Sequence, residues 1–204
     1  MAERRLGFAY LDIETSGLDS GSHAVIAAAV QPMNAHGPQE PEPTLLTSWS
    51  LGGEEGVLQA LVNRALFIAD GPRAYDLIPV GASLDFTLAF AADRLRITGA
   101  EPWSEESTTR FLSNKPRVDL KGALVLMNRG SIEGADVRRF TRRKVGSGSD
   151  VVRMYADGDF AGIETYIRSE AAAFFDVFPE MSKRLRALGD EMRPVPGPKG
   201  AAKR

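Results

Sequence analysis

The segment that most constrains the fold lies near the start of the chain, where residues 8–18 read FAYLDIETSGL. Apolar residues of this kind are typical of a buried strand, and successive side chains of a strand point to opposite faces. Asp12 and Glu14 are therefore expected on one face, and Leu11 and Ile13 on the other. The segment predicts a buried strand that ends by presenting two carboxylates side by side.

Two neighbouring carboxylates repel each other, and burial makes both charges more costly. A hard divalent cation, which takes oxygen ligands, would neutralise Asp12 and Glu14. A surface strand with two solvated acids and a polar turn would carry the same residues. The spacing alone leaves both interpretations open.

The order Asp-Ile-Glu-Thr-x-Gly-Leu at residues 12–18 resembles the first motif of the DEDD superfamily of 3′–5′ exonucleases, which have a ribonuclease H-like fold. The resemblance implies that Asp12 and Glu14 hold two Mg²⁺ or Mn²⁺ ions. It also implies a ribonuclease H-like α/β fold, in which helices flank a mixed central sheet.

The second motif of that family follows a strand and opens a helix, and residues 80–90, VGASLDFTLAF, resemble this framework. Ser83 stands where the family usually has asparagine, and Thr87 stands where it has a metal-binding aspartate. Asp85 lies two residues earlier. Either Asp85 supplies the metal ligand from the turn, or it is an N-cap of the helix, a role that aspartate fills well.

The third motif of the tyrosine-type members is Tyr-x-x-x-Asp, and Tyr166 and Glu170 have this spacing with glutamate as the acid. Residues i and i+4 share one helix face, so both would point into the cleft. The resemblance implies that Tyr166 orients the attacking water and Glu170 binds a metal ion. The histidine type does not apply because the two histidines are His23 and His36. An ordinary amphipathic helix would also explain the pattern.

Two further segments are candidates for the site. Asp119 precedes an apolar segment and is either a helix N-cap or a reserve metal ligand. A cluster of cations with one aromatic residue could neutralise phosphates and stack on an unpaired base, although a solubilising surface would have the same composition. The candidate nucleic-acid-binding residues are Arg138, Arg139, Phe140, Arg142, Arg143 and Lys144.

The apolar patterns predict a sheet whose first three strands are antiparallel, followed by helices that alternate with strands. The predicted strands are 6–13, 24–30, 45–51 and 75–80, and the predicted helices are 54–69, 86–97, 120–127, 150–155 and 160–188.

Composition excludes several classes of protein. The 204 residues contain no cysteine, which excludes disulfides and thiol nucleophiles, and the formal net charge is −2. We expect one domain over residues 1–192, a disordered basic tail over 193–204, no membrane association and a cytoplasmic location.

The sequence thus predicts a two-metal 3′–5′ exonuclease acting on single-stranded DNA or RNA. In the mechanism that the resemblance implies, Asp12 bridges two ions and Glu14, Asp85 and Glu170 complete their ligands. A nuclease-derived module that binds nucleic acid without cleaving it is the alternative, because the second and third motifs depart from the pattern.

Overall fold

The structure is a computed structural model that describes residues 7–63, 77–101, 103–143 and 146–191. Its strands are β1 (Gly7–Thr15), β2 (Val25–Asn34), β3 (Gly37–Pro38), β4 (Thr44–Thr47), β5 (Leu77–Gly81) and β6 (Val118–Asp119). Its helices are α1 (Ser48–Leu51), α2 (Glu54–Leu61), α3 (Leu84–Thr98), α4 (Glu105–Asn114), α5 (Lys121–Met127), α6 (Val137–Phe140), α7 (Gly148–Asp157) and α8 (Phe160–Glu191).

The strands form one mixed sheet with β1 in its interior. Strand β1 pairs antiparallel with β2 and parallel with β5, and β5 pairs parallel with β6. Strands β3 and β4 both pair antiparallel with β2. Because β1 has a neighbour on each side, its backbone is fixed, and so is the direction of its side chains.

Apolar residues cover both faces of the sheet. Leu11 and Ile13 face the core that packs against α2, α3 and α4. Tyr10 faces the second core, which contains Ile163 and Phe174 of α8. A strand buried on both faces explains why the first segment of the sequence is so rich in apolar residues.

The predicted α/β class is confirmed, because helices flank a mixed sheet. The three predicted early strands, β1, β2 and β4, are antiparallel to one another, because β2 pairs antiparallel with both β1 and β4. The predicted strand over residues 45–51 is wrong in its second half, because β4 ends at Thr47 and α1 begins at Ser48. Gly52 follows α1 with a φ of 78°, a left-handed conformation that ends the helix.

Several elements escaped the sequence prediction, namely β3, β6, α1, α4 and α6. The second half of the helix predicted at 54–69 and the basic tail at 193–204 lie outside the described residues. No described helix combines the length and the apolarity that crossing a bilayer requires.

Gly81, the last residue of β5, lies very close to β1. A Cβ atom added at this position would be 2.7 Å from the carbonyl oxygen of Leu11 and 3.0 Å from a methyl carbon of Leu84. Real Cβ atoms do not approach backbone oxygens so closely, so only glycine lets β5 and α3 pack against the middle of β1.

Candidate metal centre

Three carboxylates converge at the end of β1. One oxygen atom each of Asp12, Glu14 and Glu170 lies within 4.8 Å of the other two. Asp12 and Glu14 belong to β1, whereas Glu170 comes from α8, more than 150 positions along the chain. We call these three residues the acid cluster.

Packing between β1 and α8 fixes the acid cluster. Tyr10 of β1 contacts two phenylalanines of α8, with ring centroids 4.7 Å from Phe174 and 5.6 Å from Phe175. Tyr10 and Asp12 are two positions apart and therefore share the face of β1 that α8 covers. Phe174 lies one helical turn after Glu170, so the packing of Phe174 against Tyr10 also positions the Glu170 carboxylate.

The acid cluster has a high electrostatic cost. Burial, and then the charge of Glu170, raises the pKa of Asp12 well above its usual value, despite hydrogen bonds from the Ile13 amide at 3.0 Å and the Tyr10 hydroxyl at 3.3 Å. Burial, and then the charge of Asp12, likewise raises the pKa of Glu14. Burial also raises the pKa of Glu170, although a hydrogen bond from Tyr166 opposes this shift. The cluster therefore retains protons or attracts a cation.

Tyr166 lies one turn before Glu170, and its hydroxyl donates a hydrogen bond to the Glu170 carboxylate. Burial, followed by the negative charge of Glu170, raises the pKa of Tyr166. The phenol consequently stays protonated and remains a hydrogen-bond donor beside the acid cluster.

An open cavity of about 490 Å³ gives access to the acid cluster and to Tyr166. Three apolar side chains line the cavity although they are also exposed at the surface: Leu18 is 83% exposed, Val152 40% and Phe86 39%. A cavity with an acidic floor and an apolar rim suits a ligand that is both anionic and partly apolar, provided that cations neutralise the floor.

The structure does not bring Asp85 into the acid cluster. Asp85 lies in the first turn of α3, where its carboxylate is 2.7 Å from Nε of Arg117 and 75% exposed. Thr87, at the position where the resemblance implies a metal-binding aspartate, does line the cavity, and it is 2% exposed. The second segment therefore places Thr87, a residue without a carboxylate, at the cavity wall.

Asp119 supports the loop before α3. Its carboxylate accepts hydrogen bonds from the backbone amides of Ser83 at 3.0 Å, Asp85 at 3.2 Å and Lys121 at 2.8 Å. Ser83 has a φ of 77°, a strained conformation for a residue other than glycine. The capping role predicted for Asp85 thus falls to Asp119, which caps the starts of both α3 and α5.

The residues of the predicted nucleic-acid-binding segment are placed in different ways. Arg138 lines the cavity, and Arg143 forms an ion pair with Asp176, with Nε and a carboxylate oxygen 2.6 Å apart. Phe140 is half-buried and packs against the core that contains α8. Arg139 and Arg142 are exposed, and Lys144 lies outside the described residues.

Sequence reasoning overlooked Asp136. Its negative charge raises the pKa of both Asp12 and Glu170, which places it near the acid cluster. Its own pKa is lowered, because hydrogen bonds and charge from Arg138 outweigh its burial. The available signal was an aspartate directly before Val137-Arg138-Arg139, a typical N-cap position, and Asp136 does cap α6.

Neither models of known protein families nor curated proteins match this chain.

Proposed function

We propose that the protein is a metal-dependent 3′–5′ exonuclease that hydrolyses phosphodiester bonds of single-stranded DNA or RNA. The observation that carries the proposal is the convergence of Asp12, Glu14 and Glu170, with oxygens within 4.8 Å of one another, on the floor of an open cavity. None of the three forms an ion pair with a lysine or arginine in the described part of the chain. Their negative charge is therefore available to a cation that binds from solvent.

The donor set of the acid cluster fits a divalent cation. Mg²⁺ and Mn²⁺ prefer carboxylate oxygens, and a bound cation would offset the burial and mutual repulsion that raise the pKa of Asp12 and Glu14. Asp12, Glu14 and Glu170 would hold the metal. When bound, divalent ions of this kind activate water and stabilise the leaving oxygen. Occupancy by two ions stays a prediction from the resemblance.

The residues of this chain would orient the reactants. In the hydrolysis, a water oxygen forms a bond to phosphorus, the bond from phosphorus to the 3′ oxygen breaks, and a proton passes to that leaving oxygen. Tyr166 keeps its proton and donates it in a hydrogen bond to Glu170, so its hydroxyl oxygen would accept a hydrogen bond from the water without being consumed. The exposed Leu18 and Phe86 would contact bases at the strand end.

The test uses a single-stranded oligonucleotide labelled at its 5′ end. With Mg²⁺ or Mn²⁺ we expect a ladder of products that shorten from the 3′ end, and with EDTA we expect none. Asp12→Ala should abolish the ladder, whereas Arg184→Ala, on the exposed far part of α8, should leave it unchanged. An Asp12→Ala variant that cleaves as fast as the parent would contradict the proposal.

A module that binds nucleic acid without cleaving it is the second candidate. Two observations favour it: Thr87 provides a hydroxyl where an acid is expected, and Asp85 is paired with Arg117. Calorimetry separates the candidates, because retained oligonucleotide binding without Mg²⁺ or Mn²⁺ binding would support the module. Thr87→Asp, which adds a carboxylate inside the cavity, would then create metal binding and cleavage.

A further inference from the structure

Arg138 differs from the rest of the basic segment. Among the described residues of that segment, it alone lines the cavity that contains the acid cluster. Arg143 forms an ion pair with Asp176, and Arg139 and Arg142 are exposed without lining the cavity. Among the described residues that line the cavity, Arg138 is therefore the one cation.

The guanidinium of Arg138 is held in one orientation. Its Nε donates to a carboxylate oxygen of Asp136 at 3.0 Å, Nη2 donates to the other oxygen of the same carboxylate, and Nη1 donates to the carbonyl of Gly146 at 3.1 Å. The backbone amide of Arg138 also donates to Asp136, at 2.8 Å. A guanidinium has five N–H groups, so two remain for a ligand.

Arg138 forms no ion pair with the acid cluster, although its positive charge acts to lower the pKa of Glu170. It forms an ion pair with Asp136, but none of its nitrogens is within 4.0 Å of a carboxylate oxygen of Asp12, Glu14 or Glu170 in the described structure. The acid cluster and Arg138 both line this cavity without being paired to each other. Gly148 and Ser149, the first residues of α7, line the cavity as well.

A fixed guanidinium with unused N–H groups is well suited to phosphate, because its planar fork matches two phosphate oxygens. We propose that Arg138 binds the phosphate that precedes the hydrolysed one, on its 5′ side. The inference rests on the proposed exonuclease function, in which the acid cluster serves the reacting phosphate. The hydrogen bonds of Arg138 go to Asp136 and Gly146 and not to the acid cluster, so its remaining N–H groups are available to a second phosphate. A terminal 3′ nucleotide has no phosphate beyond it, which leaves the 5′ neighbour.

This assignment defines a substrate class. The protein selects strands that carry a phosphate on the 5′ side of the penultimate nucleotide, and Asp136 acts as the positioning residue that aims Arg138. Esters with a single phosphodiester bond and no 5′ phosphate lack this contact and are poor substrates.

The test compares two dinucleotides that differ by one group, TpT and pTpT. Both contain one phosphodiester bond, but only pTpT has a phosphate on the 5′ side. We expect the parent to prefer pTpT by about tenfold or more in kcat/KM, the effect of one charge-assisted contact. Arg138→Ala should reduce the ratio to about one by slowing pTpT alone, and Arg184→Ala should keep the parent's ratio.

Arg138→Lys separates the forked contact from charge alone. The lysine keeps the positive charge but lacks the planar fork, so its ratio should stay close to that of Arg138→Ala. Full recovery with lysine would overturn the forked contact. An equal loss on TpT and pTpT in Arg138→Ala would overturn the assignment, because it would place Arg138 at the reacting phosphate. An unchanged ratio would overturn it too.

Binding in EDTA keeps this inference distinct from the proposed function. If the parent hydrolyses neither dinucleotide, the exonuclease proposal fails, but calorimetry still measures the affinities for TpT and pTpT. Tighter binding of pTpT by the parent, lost in Arg138→Ala, would support the phosphate subsite. Equal affinities in the parent would overturn it. The melting temperature of each variant shows that it is folded.

Discussion

The two faces of the sheet handle buried acids in opposite ways. On the face covered by α2 and α3, Glu54 forms a bidentate pair with Arg94, with oxygens 2.8 and 2.7 Å from Nε and Nη2, and it also accepts a hydrogen bond from the Val25 amide at 2.7 Å. The two side chains are only 14% and 12% exposed. On the face covered by α8, no lysine or arginine of the described residues forms an ion pair with the acid cluster.

The comparison distinguishes an acid that is paired within the chain from acids that could bind a ligand. Glu54 is neutralised within the chain, and Arg94 also donates to the carbonyl of Ser20 at 2.9 Å, so this pair fixes the loop after β1. The acid cluster is costly to bury and remains accessible through a cavity. Acids kept in this state are typical of functional sites.

The strongest test of this contrast is the response to divalent ions. Mn²⁺ at about 100 times its dissociation constant should stabilise the parent by about 2.7 kcal/mol, which raises Tm by roughly 5–10 °C. Asp12→Asn should lose this response, and Glu54→Gln should keep it despite a lower starting Tm. Calorimetric melting with Mn²⁺ and with EDTA measures both. A full Mn²⁺ response in Asp12→Asn would place the ion elsewhere.

A second test concerns the pair of Glu54 and Arg94 and measures its contribution to stability. Arg94→Ala removes the partner of Glu54 and the bond to Ser20, so we expect a loss of about 3 kcal/mol in the free energy of unfolding, the effect of leaving one buried charge unpaired. Urea denaturation measures it. The matched control is Arg184→Ala, whose exposed pair with Glu180 should contribute less than about 1 kcal/mol. Equal losses of unfolding free energy in the two variants would show that the pair of Glu54 and Arg94 is no more stabilising than an exposed ion pair.

The third test concerns the pH dependence of the protein without metal, and its effect is the smallest. Because burial raises the pKa of Asp12, the folded protein holds more protons than the unfolded chain, and this group destabilises the fold as pH rises above about 4. Asp12→Asn should therefore melt a few degrees higher than the parent at neutral pH in EDTA. The difference should shrink toward low pH, where Asp12 is protonated in both states. A lower melting temperature for the variant at neutral pH would show that the charge is stabilising.

Local sequence patterns predicted the features that depend on the periodicity of side chains in a strand or a helix. Alternation placed Leu11 and Asp12 on opposite faces of β1, and the four-residue spacing placed Tyr166 and Glu170 on one face of α8. Helix α4 escaped because its sequence, EESTTRFLSN, is mostly polar, although Ser104 and Glu105 form a typical helix start. Strand β6 has only two residues, too few for a period.

Long-range placement was beyond local reasoning. The sequence left Asp85 as either a metal ligand or a helix cap, but Arg117, more than 30 positions later, pairs with it. Asp136 approaches the acid cluster through the packing of α6 beside α8, which no spacing in the sequence reveals. The partners of these acids depend on tertiary structure, and that is why their roles could not be assigned in advance.

The tight contact at Gly81 has an evolutionary consequence. Every single-nucleotide change of a glycine codon that alters the amino acid introduces a side chain or a stop, and here any added carbon meets the Leu11 carbonyl next door to Asp12. Such a change displaces the strand that carries two of the three clustered acids. In a library of random variants, position 81 should therefore be among the least permissive, even though its residue takes no part in chemistry.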